Sequence, residues 1–151
     1  MVKAKLHAAA SAKYAGFEAL DPFFRVVERG LREFVDGEHY FDMIAEDAVF
    51  EFRYDFPGWP KEIRGRTTLM DAYSGYGKNI VVHRGDGLAV HAARDGRVVT
   101  LEYEVHGTIV KTGGAYENRF VSVVTIADRK IVRWRDYMDS LAAWRALNPG
   151  A

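Results

Sequence analysis

The last predicted strand of the chain carries one carboxylate in an otherwise apolar row. Over residues 130–139, the alternate positions are Val132, Trp134, Asp136 and Met138, and the intervening positions are mostly charged. Because successive side chains of a strand point to opposite faces, the apolar row should face the interior and carry Asp136 with it. Burial raises the pKa of a carboxyl group, which suits a general acid or base near neutral pH. The alternative is that Asp136 is purely structural, paired with a buried arginine or accepting hydrogen bonds from tyrosine and asparagine.

Three other predicted strands contribute inward-facing rows that are rich in aromatic side chains. These rows are Phe50, Phe52 and Tyr54; Val99, Leu101, Tyr103 and Val105; and Tyr116, Asn118, Phe120, Ser122, Val124 and Ile126. Together with the last strand they predict a mostly apolar cavity with a few hydrogen-bonding groups, which is typical of a small-molecule site. We expect Asp136 and Tyr116 to be catalytic. The expected substrate contacts are Phe52, Tyr54, Tyr103, Asn118, Phe120, Trp134 and Met138.

Histidine and glutamate residues outside these rows are weaker candidates. His83 follows the third predicted helix, near the expected mouth of the cavity, and is a further candidate substrate contact. Glu102, Glu104 and His106 share one face of a strand, where they could bind a metal. Our preferred interpretation is that they lie on the outer face of the sheet and pair with Arg119 or with another chain. Since the chain has no cysteine and no two histidines at ligand spacing, we expect no metal requirement and no cofactor.

The composition of the chain limits the classes of function. Its 151 residues suggest one domain, and 48% of them are hydrophobic, an ordinary globular balance. Lysine plus arginine total 21, as do aspartate plus glutamate, so no strong overall field favours nucleic acid or an anionic membrane. No apolar run approaches the roughly 18 residues of a transmembrane helix, and the N-terminal segment is too weakly apolar for a signal peptide. We expect a cytoplasmic protein that binds a small hydrophobic molecule, without nucleic-acid or membrane partners.

Helical patterns dominate the first half of the chain. The first predicted helix begins at Asp21-Pro22 and ends at Gly37, and two more are predicted at about 39–45 and 67–76. From Ile80 onward apolar residues recur at every second position, which is typical of strands. The predicted strands are about 48–54, 80–93, 97–110, 115–126 and 130–139.

Turn residues divide the second half of the chain into hairpins. Asp95-Gly96 and Gly113-Gly114 predict two turns, and a third turn at 127–130 should hold Arg129 in a strained backbone position. Ser140 is predicted to cap a last short helix. The expected fold is α+β: one strongly curved antiparallel sheet packed against three N-terminal helices. Residues 1–20 should form a tail or short helix, and residues 21–151 a single domain.

The order of elements and the closing segment resemble the nuclear transport factor two-like superfamily. The segment reads Lys130-Ile131-Val132-Arg133-Trp134-Arg135-Asp136-Tyr137-Met138-Asp139, and the resemblance covers about residues 21–148. This superfamily has a cone-shaped, cystatin-like fold and includes ketosteroid isomerase, limonene epoxide hydrolase and the SnoaL-like polyketide cyclases. The segment 134–137 is similar to that of limonene epoxide hydrolase, whose last-strand aspartate is catalytic. The resemblance therefore implies a catalytic role for Asp136.

The phenazine-biosynthesis A/B proteins provide a second resemblance within the same superfamily. The segments 56–60, 116–120, 135–139 and 145–147 are similar to theirs, and the comparison places their last-strand acid at Asp136 and their active-site tyrosine at Tyr116. Their pocket histidine on the third helix is absent. Phe52 stands where ketosteroid isomerase has its base, and Tyr103 and Val105 stand where limonene epoxide hydrolase has an Arg-x-Asp pair.

These departures leave two hypotheses about function. The first is a cofactor-free acid/base enzyme, of the isomerase, cyclase or hydrolase type, that acts on a small apolar cyclic substrate. The second is a non-catalytic domain of the same fold that binds a ligand or dimerises. Exposed β-branched side chains such as Val121 and Val123, beside Glu117 and Arg119, favour self-association, and related proteins with this fold are commonly dimers. We therefore expect a homodimer.

Overall fold

The computed structural model describes residues 13–150, so residues 1–12 of the predicted tail lie outside the described residues. In chain order the strands are β1 (Ile44–Phe52), β2 (Glu62–Arg64), β3 (Ile80–Ala92), β4 (Val98–Ile109), β5 (Ala115–Ala127) and β6 (Lys130–Met138). The α-helices are α1 (Asp21–Leu31), α2 (Arg66–Ser74) and α3 (Ser140–Leu147). Short 3-10 turns occupy Glu18–Leu20, Tyr40–Met43 and Tyr76–Lys78. No helix of the described residues is long and apolar enough to cross a membrane.

The six strands form one open, curved sheet in the order β2-β1-β6-β5-β4-β3. The hairpins β3–β4, β4–β5 and β5–β6 are antiparallel, as predicted, whereas β1 pairs with β6 in parallel. The predicted α+β class and curved sheet are confirmed, and the sheet is mixed rather than wholly antiparallel. Turn residues reveal only the direction of strands that follow each other, and β1 and β6 come from distant parts of the chain. Register shifts in β3–β4 and β5–β6 mark bulges, which increase twist and curvature.

The helix α1 packs across β3 and β4 through its apolar face. Phe24, Val27 and Leu31 on that face are fully buried, and Pro22 at the start of the helix loses no hydrogen bond. A Cβ at Gly85 would lie 3.0 Å from the carbonyl oxygen of Pro22, so glycine permits the close approach of α1 and β3. Tyr14 and Leu20 are also buried, so the part of the predicted tail that the structure describes packs on the domain.

Three local predictions differ from the structure. The predicted helix at 39–45 is a single 3-10 turn, because β1 begins at Ile44, which pairs with Ile131 of β6. The short strand β2 was not predicted, since three residues are too few to show a period. The last helix is capped by Asp139, whose carboxylate accepts the backbone N–H of Ala142, rather than by Ser140.

The third turn has the strained backbone that the sequence predicts. Arg129 has a φ of 59°, and its neighbour Asp128 has a φ of 50°, both in the left-handed region. Arg129 also bonds to the carboxylate of Asp36 through its Nε, at 2.8 Å, and Asp36 N bonds back to the carbonyl oxygen of Arg129 at 2.9 Å. These contacts hold the turn against the chain segment that follows α1.

Glu28 is a buried carboxylate on α1 that lies outside the predicted site. Its side chain is 5% exposed, and its Oε2 accepts the backbone N–H of Tyr40 at 3.1 Å. Burial raises the pKa of Glu28 to about 7, although the Tyr40 N–H, Arg25 and Arg32 oppose the rise. Because this pKa lies above the usual 4.5, the protonated carboxyl favours folding below that value, and the contribution is lost as pH rises through about 7.

We therefore predict that Glu28→Gln stabilises the protein at pH 8 and changes its stability much less at pH 4.5. Glutamine keeps an acceptor for the Tyr40 N–H and removes the desolvated charge, so the gain at pH 8 should be on the order of 1–3 kcal/mol. Urea unfolding at the two pH values measures it. Glu33→Gln, at an exposed position, is the matched control. An equal loss of stability at both pH values would contradict the assignment.

Candidate active site

A cavity of about 600 Å³ lies between the inner face of the sheet and the helices α2 and α3. Its wall is formed mainly by aromatic and aliphatic side chains from most elements of the fold. Aromatic residues of the wall include Phe23, Phe52, Tyr54, Phe56, Trp59, Tyr73, Tyr76, Tyr116, Phe120 and Trp144. Asp136 is the acidic residue among the described residues that line this cavity, and Lys111 is the basic one. The cavity can therefore enclose a small apolar molecule and present one carboxyl group to it.

The two oxygens of Asp136 have different surroundings. Oδ1 accepts hydrogen bonds from Ser122 Oγ at 2.8 Å and from the indole N–H of Trp134 at 3.0 Å. Within residues 13–150, Oδ2 has no hydrogen-bond donor. Since both partners approach one oxygen, the other is available to a molecule in the cavity.

The environment of Asp136 also raises its pKa to about 6. The cause is burial, because the side chain is 7% exposed and the charged form loses hydration. The hydrogen bonds from Trp134 and Ser122 stabilise the charged form and oppose this rise. A carboxyl group with a pKa near 6 is partly protonated close to neutral pH, so it can both accept and return a proton.

Tyr116 on β5 places a phenol in the same cavity. Asn118 donates its Nδ2 to the Tyr116 hydroxyl at 3.0 Å, and the Asn118 Oδ1 accepts the backbone N–H groups of Arg119 and Asp139 at 2.8 and 3.1 Å. These two backbone donors fix the orientation of the amide. The Tyr116 oxygen therefore accepts from Asn118, and its hydrogen is left to donate to a ligand.

Other phenols of the wall are neutral donors as well. Burial raises the pKa of Tyr54, Tyr73 and Tyr76 far above the usual value of 10, and the nearby charge of Asp136 acts in the same direction. Burial raises the pKa of Tyr116 too. The cavity thus combines one titrating carboxyl group with phenols that keep their protons at every physiological pH.

The structure brings most of the predicted site residues together. Phe52, Tyr54, Tyr116, Phe120, Asp136 and Met138 all line the cavity. Three other predicted contacts lie behind the wall. Asn118 bonds to Tyr116 and Trp134 bonds to Asp136, both of which line the cavity, and Tyr103 bonds to Ser122 behind Asp136. The predicted contact at His83 does not fit its position, since the exposed ring lies outside the cavity wall and bonds to Thr108 Oγ1 at 2.8 Å. A bulge at this point of β3, between Val82 and Arg84, shifts the register.

Six aromatic residues of the wall were not predicted as site residues: Phe23, Phe56, Trp59, Tyr73, Tyr76 and Trp144. Tyr73 on α2 and Tyr76 in the 3-10 turn after it have helical spacing, and a helix face that lines a cavity has the same period as one that packs in a core. Trp59 stacks on Tyr73, with ring centroids 6.0 Å apart, and its buried Nε1 has no acceptor among the described residues. Trp144 on α3 contacts the ring of Phe56 at 6.1 Å. The loop Pro57-Gly58-Trp59-Pro60 was the sequence feature that could have identified Trp59 as a site residue.

A group of possible metal ligands lies on the sheet away from the cavity. Asp86, Glu104 and His106 have ligand atoms within 4.8 Å of one another. His106 is bonded to Asp86 Oδ1 through Nε2, at 2.9 Å, and to Glu117 through Nδ1, and these carboxylates raise its pKa. The predicted partner Arg119 lies opposite Glu104 in the strand register but forms its ion pair with Asp139. None of these residues lines the cavity.

Comparisons with known proteins agree with this geometry. A family model described as a SnoaL-like domain matches residues 22–134. The chain is 32% identical over 111 residues to the uncharacterised protein YesE of Bacillus subtilis. The matched region covers 74% of this chain and 76% of that protein. The family match places the chain in the predicted superfamily.

Solved structures show the same relationship. A Bacillus subtilis protein provisionally described as an isomerase has 30% sequence identity and a TM-score of 0.68, with 85% of this chain and 89% of that chain covered. A phenazine biosynthesis-related protein from Pseudomonas aeruginosa has 26% identity and a TM-score of 0.63, with 74% and 75% covered.

We predict that Asp136→Asn raises the stability of the protein above pH 6. Asparagine keeps an Oδ1 that can accept from Trp134 and Ser122 but removes the desolvated charge. Because the pKa of Asp136 is raised from 3.8 to about 6, the stability of the parent that comes from the protonated form is lost as pH rises through about 6. The variant should gain on the order of 1–3 kcal/mol at pH 8 and little at pH 4, measured by urea unfolding. A variant that is less stable at pH 8 would indicate a structural role for the carboxylate.

Proposed function

The chain belongs to the SnoaL-like domain family, and from that premise we propose that it is a cofactor-free acid/base enzyme that acts on a small, apolar, cyclic substrate. The observation that carries the proposal is the free Oδ2 of Asp136 in a cavity that raises the pKa of this carboxyl group to about 6. A purely structural carboxylate would be expected to have donors on both oxygens.

The cavity supports the substrate class. A volume of about 600 Å³ with aromatic walls suits a molecule of one to three fused rings. Flat ring surfaces such as the stacked Trp59 and Tyr73 favour planar or cyclic partners. The phenols can donate hydrogen bonds to carbonyl or hydroxyl oxygens of such a molecule without adding charge.

The proposed chemistry begins with removal of a proton from a carbon next to a carbonyl group. Oδ2 of Asp136 forms the new O–H bond, the electron pair of the C–H bond moves into a carbon–carbon double bond, and the carbonyl oxygen becomes an enolate oxygen. The Tyr116 hydroxyl would donate to that oxygen as its negative charge develops. Return of the proton to another carbon is an isomerisation, and attack of the enolate carbon on a second carbonyl is a cyclisation or condensation.

The alternative is a non-catalytic ligand-binding or dimerisation domain with the same cavity. The position of Asp136 argues against it, since a binding protein for apolar molecules gains nothing from a desolvated carboxylate that lacks a partner on Oδ2. An epoxide hydrolase is less well supported, because Tyr103 and Val105 stand where limonene epoxide hydrolase has its Arg-x-Asp pair.

We predict that Asp136→Asn strongly slows proton exchange while leaving the fold intact. The probe is a panel of cyclic ketones and β,γ-unsaturated cyclic ketones in D₂O, in which NMR follows deuterium entering next to the carbonyl. The rate should fall about 10²–10⁴-fold in Asp136→Asn, and Tyr116→Phe should lose about 10²-fold. Asp47→Asn, at an exposed carboxylate of β1, is the control and should exchange like the parent. Equal exchange by the parent and Asp136→Asn would reject the acid/base role.

We also propose that the enzyme works in the cytoplasm as a homodimer that associates through the outer face of the sheet. Val121 on β5 and Tyr137 on β6 are paired across the strands and are 36% and 37% exposed. We predict a dimer in sedimentation velocity at micromolar concentration, and a monomer with an unchanged far-UV spectrum for Val121→Asp, because a charge in an apolar contact is costly. A monomeric parent would refute the dimer.

A further inference from the structure

A chain of hydrogen bonds behind the cavity wall leads to Asp136 from two neighbouring strands. The hydroxyl of Tyr103 on β4 lies 2.8 Å from Ser122 Oγ on β5, and Ser122 Oγ lies 2.8 Å from Asp136 Oδ1 on β6. Ser122 is directly opposite Asp136 in the strand register. All three side chains are buried, and neither Tyr103 nor Ser122 lines the cavity.

The number of hydrogens on each group fixes which group donates in each of these hydrogen bonds. The carboxylate can only accept, so Ser122 donates its single hydroxyl hydrogen to Oδ1. The Ser122 oxygen must then accept from the next partner, and the Tyr103 hydroxyl therefore donates to it. The indole N–H of Trp134 can only donate, so Oδ1 receives two donors that both point toward it.

We propose that Ser122 and Tyr103 are positioning residues that confine the exchangeable proton of Asp136 to Oδ2, the oxygen available to the cavity. A proton on Oδ1 would compete with the hydrogen bonds from Ser122 and Trp134. It would force the Ser122 hydroxyl to turn toward Tyr103, which would leave the buried Tyr103 hydroxyl without an acceptor among the described residues. A proton on Oδ2 displaces neither hydrogen bond. The inference rests on the proposed function only in taking Asp136 as the acid/base group.

These hydrogen bonds also change the predicted role of Tyr103. The sequence suggests a substrate contact, but the hydroxyl of Tyr103 is used by Ser122 and its ring stacks on Phe120, with centroids 5.4 Å apart and planes at 3°. Phe120 lines the cavity and separates Tyr103 from it. Tyr103 therefore acts through Ser122 on Asp136 and does not contact the substrate.

The pKa of Asp136 in the free protein tests the proposal without any substrate. It is measured by NMR titration of the Asp136 carboxyl carbon, assigned by its absence in Asp136→Asn. Ser122→Ala removes a hydrogen bond to the charged form, so the pKa should rise by about one unit. Tyr103→Phe removes the donor to Ser122 and should give a smaller rise. Ser122→Thr keeps the hydroxyl and should titrate like the parent.

Two further variants keep the test decisive. If Ser122→Ala does not fold, Ser122→Cys supplies a weak donor of similar size and should raise the pKa in the same direction. Thr125→Ala removes a hydroxyl from the same strand at an outward position and should leave the pKa unchanged. An unchanged pKa in folded Ser122→Ala, or an equal rise in Ser122→Thr, would overturn the proposal.

The outcome is separable from the proposed function. If the parent exchanges deuterium into the ketone probes, the acidic limb of the rate against pH should move upward in Ser122→Ala by the same amount as the pKa. A raised pKa in Ser122→Ala together with no exchange by the parent would support the positioning role and reject the enzyme. Exchange with an unmoved limb and an unmoved pKa would reject the positioning role alone.

Discussion

Burying the carboxylate of Asp136 in an aromatic wall costs free energy, and the register of the sheet around it offsets part of that cost. Trp134 lies two residues earlier on the same strand face, and Ser122 lies directly opposite on β5, so both donors reach one oxygen. Because a slip of one residue would turn every side chain of β6 to the other face, the site exists only in this register. The same geometry leaves Oδ2 to the cavity.

The parallel pairing of β1 with β6 completes the wall on the other side of Asp136. Phe52 at the end of β1 is in register with Asp136, and the backbone N–H of Arg53 bonds to the carbonyl oxygen of Asp136 at 2.8 Å. The segment that follows β1 carries Tyr54, Phe56 and Trp59 into the cavity. The residue that carries the proposed chemistry is therefore bonded on both edges of its strand, which holds its backbone in place while its side chain takes up and releases a proton.

The alternation of apolar and polar residues was enough to predict the strands β3 to β6, the inward faces of β4 and β5, and the inward face of β6 from Trp134 onward. At the start of β6 the prediction was wrong, because a bulge beside Ile126 buries Ile131 instead of Val132. The alternation identified Asp136, Tyr116 and Phe52 as parts of one wall, because parity fixes the face of a strand. Parity says nothing about depth or hydrogen-bond partners, so it could not show that Tyr103 lies behind Phe120 or that Ser122 bonds to Asp136. The bulge beside His83 and the parallel β1–β6 pairing depend on contacts between distant segments, which leave no local pattern. Tyr73 and Tyr76 have the spacing of a packed helix face, and only the cavity beside α2 distinguishes the two cases.

We infer that the fold holds one carboxyl group in a partly protonated state inside an apolar cavity. Titration of the Asp136 carboxyl carbon by NMR in the unmodified protein measures this directly. We predict a midpoint near pH 6, well above the usual value of 3.8, with the indole N–H of Trp134 remaining hydrogen-bonded on both sides of the transition. A midpoint at or below the usual value would mean that the carboxylate is stably charged at neutral pH, and it would contradict the acid/base site.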